Sequence, residues 1–438
     1  MSEFQDIVLR ALEKSQSLGA QKARISAYRG QSLSMSWRKN KVENMTSAGE
    51  SQLSLTLFVD GRYGNYSTSD MRTESVEAFI ARCIDITRLL EADSARDLAD
   101  PSRYENRCSE DLETYDPASE SMTPSAMIDY CRNLEALTYA HNEIPITEVS
   151  TEFAVEQTES FMATTNGFSG SRRGTIFSGA TSIVLSDGEK KPSDYGVSYA
   201  RYLSDLRSPQ EIADEAARYG AMKLGQKKLA SGNRTIILDS RVSSQMIRKY
   251  LTPLSGMSLV MKSSYFMDKI GEKVACERLD LRDEPWMKRG IGSMVYDGEG
   301  MSTKPTSIFD KGVLRQYFLN VYAANKLNMV PTIAHYSNLV LTPGARSLES
   351  MIADVKDGIY VTGLLGGNQD NVRGDFSHGI VGVAIENGAL TTPISEMNIT
   401  GNHTDLWHRL SEVGNDVRVD TMHRIPSVRL DDVAVSGN

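Results

Sequence analysis

Residues 52–66 read QLSLTLFVDGRYGNY. Leu53, Leu55 and Leu57 recur at every second position, so an extended backbone lines them up on one face. Asp60-Gly61 follows, a pair that tolerates the positive φ of a tight turn, and Arg62–Tyr66 runs back. The stretch predicts an antiparallel hairpin. Just upstream, Ala23–Tyr28 and Ser32–Trp37 carry the same alternation and supply further strands. Phe4, Ile7, Val8, Ala11, Leu12 and Leu18 form a helical stripe ended by Gly19, and Val76, Phe79, Ile80, Cys83, Ile84 and Leu90 form a second from about residue 73.

Farther along, residues 91–120 are polar, acidic and aperiodic, which predicts a connecting loop. Thr123-Pro124 places a cap before a proline at the first helical position and opens a helix to about Ala140. Strands are expected at Thr147–Gln157, Ser160–Thr165, Thr175–Leu185 and Tyr195–Leu203. Ser208 with Glu211 has the spacing of a capping box, opening a helix that reaches Lys228. Ser231-Gly232-Asn233 then reads as a linker. After it, helical segments are few (Val242–Leu254, Val321–Lys326 and Asn402–Val413), while short strands alternate with turns at Asp297-Gly298, Asp310-Lys311-Gly312, Asp357-Gly358 and Asn387-Gly388. The reading is an α+β chain in two parts. Residues 1–230 form a mixed domain around an antiparallel sheet, and residues 231–438 form a β-rich domain, sandwich-like or barrel-like.

Composition fits a folded globular protein: 40% of the 438 residues are apolar and 24% are charged. The net charge is −9, and no run of Lys and Arg offsets it, so direct nucleic-acid binding is not expected. Neither a secretory signal nor an apolar stretch of bilayer length is visible, so no membrane partner is expected. Cys83, Cys108, Cys131 and Cys276 are widely spaced without a CxxC pair, the pattern of reduced thiols in a cytoplasmic protein.

Catalytic signatures are sparse. A helix-borne zinc peptidase site needs two imidazoles on neighbouring turns and a carboxylate to activate water, and no HExxH or HExxxH string occurs. His403 and His408 have the HExxxH spacing, but Thr404 stands where the carboxylate belongs. In a regular helix, five steps of about 100° leave the two rings roughly 140° apart. They read as unrelated imidazoles on a capped surface helix. His141, His335, His378 and His423 are scattered, and no GxSxG elbow marks a nucleophile. No catalytic and no metal-ligating residue is assigned. The Gly363–Gly367 and Gly374–Gly379 segments match no phosphate-binding pattern. Gly366, Gly367, Gly374, Asp375, Ser377 and His378 are the candidates for substrate or partner contact, because glycine allows close backbone approach beside polar side chains. Turns that simply close the β-rich domain are the competing reading.

In series, Val361-Thr362-Gly363-Leu364-Leu365-Gly366-Gly367, Gly374-Asp375-Phe376-Ser377-His378-Gly379, Ile385-Glu386-Asn387-Gly388, Pro393-Ile394-Ser395-Glu396, Gly401-Asn402 and Val413-Gly414-Asn415-Asp416 have the order and spacing of the TldD/PmbA family. The chain resembles that family throughout, the upstream half being consistent with its N-terminal domain. Members of the TldD branch carry HExxxH near the start of the C-terminal domain and a further ligand from a cysteine near the C-terminus. The corresponding stretch here, Met246 to Val260, has no histidine, and the last cysteine is Cys276. The resemblance is therefore to the PmbA branch, also called TldE and formerly labelled a modulator of DNA gyrase. It implies a cytoplasmic metallopeptidase complex in which a TldD-like metal-bearing subunit, the partner, holds the zinc and cuts. The PmbA-like subunit, with no cofactor of its own, completes an enclosed cavity for small unfolded or leader-type peptides. Without the partner, a homodimer is the expected alternative assembly. Two other functions compete: a regulatory binding protein acting on gyrase without proteolysis, and an independent enzyme with a site unlike the family's.

Overall fold

The computed structural model describes residues 3–437. Six long strands form one antiparallel sheet in the order β3-β2-β1-β4-β5-β6: β1 (Lys22–Arg38), β2 (Lys41–Val59), β3 (Arg62–Thr68), β4 (Ile146–Thr164), β5 (Ser169–Leu185) and β6 (Ser193–Ala200). Asp60 and Gly61 take φ +51 and +74, as the β2–β3 hairpin requires. Four helices cover one face of this sheet. At one end α1 (Glu3–Ser17) and α2 (Thr73–Thr87) bury Phe4, Val8, Ile80 and Ile84 against Ile25, Leu53, Leu55 and Leu57. At the other, α3 (Pro124–Tyr139) sets Met127 and Cys131 against Trp37, Phe153 and Phe177, and α4 (Pro209–Ala221) packs beside it. Side chains alternate along a strand, so residues between these point the other way. That second face is polar and receives the segment around residues 285–301. Arg172 and Arg201 donate to the Asp297 and Ile291 carbonyls, and Arg24 lies 3.8 Å from Glu299.

From Gly232 onward the chain builds two further sheets. Strand β7 (Gly232–Leu238) is followed by α5 (Ser240–Leu251) and α6 (Gly256–Val260). A five-stranded sheet then has the order β10-β9-β8-β11-β16, from β8 (Leu281–Asp283), β9 (Thr306–Asp310), β10 (Val313–Leu314), β11 (Leu339–Leu341) and β16 (His423–Arg424). Helices α7 (Val321–Leu327) and α8 (Leu348–Ala353) lie in the connections. Strands β12 (Asp357–Gln369), β13 (Asp375–Glu386), β14 (Ala389–Asn402) and β17 (Val428–Gly437) join β7 in the order β14-β13-β12-β7-β17. The pairing of β14 with β17 closes the ring into a five-stranded barrel, with β15 (Leu410–Val413) on its outside edge. The β-rich half is thus a barrel joined to a small sheet. Helix α5 packs between them, burying Val242, Met246, Ile247 and Tyr250 against Ile359, Val361, Leu281, Phe309 and Trp407. No described helix is long and apolar enough to cross a membrane.

Several boundaries move relative to the sequence expectation. The strands expected at 23–28 and 32–37 are one strand, as are those at 147–157 and 160–165, because the backbone ladder continues where side-chain alternation breaks: Gly30 pairs with both Glu50 and Thr158. The helix expected to reach Lys228 stops at Ala221, and the Lys227 amide donates instead to the Pro393 carbonyl. The expected helix over 402–413 is only α9 (His403–Leu406) with a 3₁₀ turn, since Leu410–Val413 pairs with β17. Asp357-Gly358 is no turn but the start of β12, paired with β7. The 91–120 segment is a connection, but it holds two 3₁₀ turns and buries Tyr104.

Candidate functional site

Helix α5 exists because Asp239 caps it, its carboxylate accepting from the Arg241 amide at 2.8 Å, and because its apolar side is buried as described. The remaining positions, Gln245, Arg248, Lys249 and Thr252, recur at three- and four-residue steps and share the outward face. That face floors a cleft of about 480 Å³ whose other wall is Phe318 and the Ala334–Tyr336 segment. Among the described residues, no Asp or Glu lines it. His423, at the start of β16, sets its ring edge-on to Tyr336, with centroids 5.8 Å apart. Its Nε2 is buried without a hydrogen-bond partner. Burial, with the Arg248 charge adding to it, pulls this imidazole down to about 4, so it is neutral at pH 7. Burial pushes the Tyr336 phenol up, and the Arg248 guanidinium beside it pulls partway back.

The glycine-rich candidates lie next to this cleft. Strands β12 and β13 form an irregular hairpin whose pairing slips between Leu364 and Gly367. Gly366, with φ +98, and Gly367, with φ +142, sit at that slip. Gly374, φ +87, lies against the Asn402 side chain, which donates to Asp375 at 3.0 Å. Asp375 is exposed and Ser377 half-buried. His378 is fully buried, stacked on Phe376 at 5.4 Å between centroids, and does not face solvent. Beneath the hairpin, His403 is also fully buried, 4.7 Å from the Phe376 ring, with its Nε2 at 3.3 Å from Gln369 Oε1. Gln369 in turn donates its amide to the Lys249 carbonyl at 2.9 Å, tying the hairpin to the end of α5. Burial lowers both imidazoles, His403 to about 3, so both stay neutral at pH 7. The reading of His403 as a surface imidazole is corrected here. The hairpin covers it, while His408 stays exposed on the other side.

Sequence reading passed over Arg248, Lys249 and Tyr336, and it took His335 and His423 only as scattered. These residues come from segments far apart in sequence, so only folding assembles them. The one local signal was a basic pair on the polar side of an amphipathic helix.

Metal chemistry needs three or more convergent donors. Among the described residues no three His, Cys, Asp or Glu side chains are placed to hold an ion. None of these residue types occurs in α5.

Comparison with known proteins matches the chain in three parts. Residues 23–87 match the PmbA/TldA metallopeptidase domain 1, residues 117–224 its central domain and residues 231–437 its C-terminal domain. The chain belongs to the PmbA/TldD metallopeptidase family. It is 25% identical to the metalloprotease PmbA of Escherichia coli O157:H7 over 95% of this chain and 92% of that one. Against the PmbA homologue of Haemophilus influenzae it is 24% identical, over 100% and 96%. Among solved structures, a modulator-of-DNA-gyrase protein from Bacteroides thetaiotaomicron superposes with a TM-score of 0.96 at 38% identity, covering 100% of both chains. TldE from Thermococcus kodakarensis shares the fold, with a TM-score of 0.88 at 18% identity over 98% and 100%. The side chains along α5 do not themselves fit a metal, since none is a His, Cys, Asp or Glu donor.

Proposed function

We propose that this chain is the non-catalytic subunit of a cytoplasmic, TldD/TldE-type metallopeptidase complex. It completes an enclosed cavity around the metal site of a TldD-like partner, in which small unfolded or leader-type peptides are degraded or processed. The observation that carries the reading is the outward face of α5. A zinc-peptidase helix presents imidazoles and a carboxylate there, whereas this one presents Gln245, Arg248, Lys249 and Thr252. Such a face cannot activate water on a cation, yet it can line a chamber. An enclosed cavity excludes folded proteins and admits extended chains, which main-chain hydrogen bonds hold without regard to sequence. The fold shared with TldE supports the assignment to a complex. The test is co-expression with a TldD-like subunit followed by an assay on an unstructured peptide. Association and faster degradation by the mixture are expected. No association, or equal activity from the partner alone, contradicts the reading.

A further inference from the structure

We propose that the cleft over α5 is a binding site for a peptide carboxylate, held by Arg248 and Lys249 with Tyr336 and Gln245 supplying neutral hydrogen bonds. Two observations converge on it. First, charge: Arg248 and Lys249 face the cleft with no carboxylate in its lining. Asp283, whose charge reaches Tyr336, is fully buried, and its Oδ1 accepts from the Ser337 amide at 2.7 Å and from the Ser337 hydroxyl at 2.6 Å, so it turns inward and leaves the cleft cationic. Second, shape: about 480 Å³ walled by Phe318 and Tyr336 accommodates a residue with its backbone, more than a bare inorganic anion fills. A guanidinium fork matches the two oxygens of a carboxylate, and a charge-assisted pair of this kind is roughly twice as strong as a neutral hydrogen bond.

The peptide as occupant rests on the subunit reading above. The binding itself is measured on this chain alone, so its failure leaves the co-assembly test untouched. The carboxylate could be the C-terminus of the peptide or an internal acidic side chain. Fluorescence anisotropy with the full chain would compare an unstructured labelled hexapeptide as free acid, as C-terminal amide, and as amide with an internal Glu. Tighter binding of the free acid than of the amide, by about tenfold, assigns the terminal carboxylate; recovery by the Glu-bearing amide assigns the side chain. Arg248→Met should abolish the discrimination with the melting temperature unchanged, since the side chain is exposed, and Arg248→Lys should retain part of it. Equal binding of all three peptides, no binding of any, unaltered discrimination in Arg248→Met, or displacement of the acid by equimolar inorganic phosphate would overturn the proposal.

Discussion

At Gly367 a Cβ would stand 2.1 Å from the Ser377 carbonyl oxygen and 2.3 Å from His378 Nδ1, and φ is already +142. Backbone is in the way, so no rotamer change relieves the clash. Gly367→Val should lower stability by about 2 kcal/mol or more and depress the melting temperature, with the hairpin displaced from α5. Gly366 has open space around it, so Gly366→Ala should cost only the strain of positive φ, about 1 kcal/mol. Equal melting temperatures for the two variants would mean that the hairpin is not packed as described. Buried imidazoles supply a second prediction at this scale. His378, His403 and His423 are held neutral in the fold, their pKa values depressed by burial below the unfolded value near 6.5. Their contribution is therefore intact above about pH 6.5 and is lost as pH falls toward the folded values. His403 alone loses roughly 1.4 kcal/mol per pH unit across that window. Denaturant unfolding from pH 7.5 to pH 5 should show His403→Phe losing about 2 kcal/mol less stability than the parent, the buried Asp283, Asp297 and Glu299 carboxyls, which burial pushes up, acting equally in both. The same pH dependence in both proteins would place the His403 ring in contact with water.

Turn chemistry and hydrophobic period made the elements legible wherever side chains dictate them. The Asp60-Gly61 hairpin, the Ser208 cap and the Thr123-Pro124 helix start all appear where the residues place them. What stayed hidden was set by backbone pairing and tertiary contact. Gly30 breaks the apolar alternation yet keeps its ladder on both sides, and Leu410–Val413 has a helical spacing that β17 overrides. The glycine-rich segments were recognisable, but that His378 within them and His403 beneath them are buried was not, because nothing local forces two imidazoles indoors. Helix α5 depends on one residue that period alone would not single out. Asp239 caps it and also accepts from the hydroxyls of Tyr219 on α4, at 2.7 Å, and Tyr360 on β12. Asp239→Ala would leave two buried phenols unpaired and the helix start bare. A loss of about 3 kcal/mol or more is expected by chemical denaturation, against about 1 for a cap alone. A loss no larger than that of a cap would show that the two tyrosines do not depend on Asp239.

Across the whole molecule, the same Asp239 bridge and a cluster of Arg207, Glu215, Arg418 and Asp420 join α4 to the barrel half. Arg172, Arg201 and Arg24 meanwhile bring the polar face of the large sheet to the 285–301 segment. The two halves are thereby tied together through polar contacts on both sides of the large sheet. The change of character at residue 231 was legible, but Ser231-Gly232-Asn233, read as a linker, runs into β7, where Gly232 and Asn233 pair with Val435 and Ala434. The cleft was the least legible, because α5, Phe318 and the Ala334–Tyr336 segment meet only in three dimensions. In the proposed assembly the cation belongs to the partner. Zinc stoichiometry by elemental mass spectrometry, measured on the purified chain after dialysis and on its assembly with a TldD-like subunit, tests it most directly. The account predicts zinc in the assembly and none retained by this chain alone; one tightly held zinc per copy of the isolated chain would contradict it.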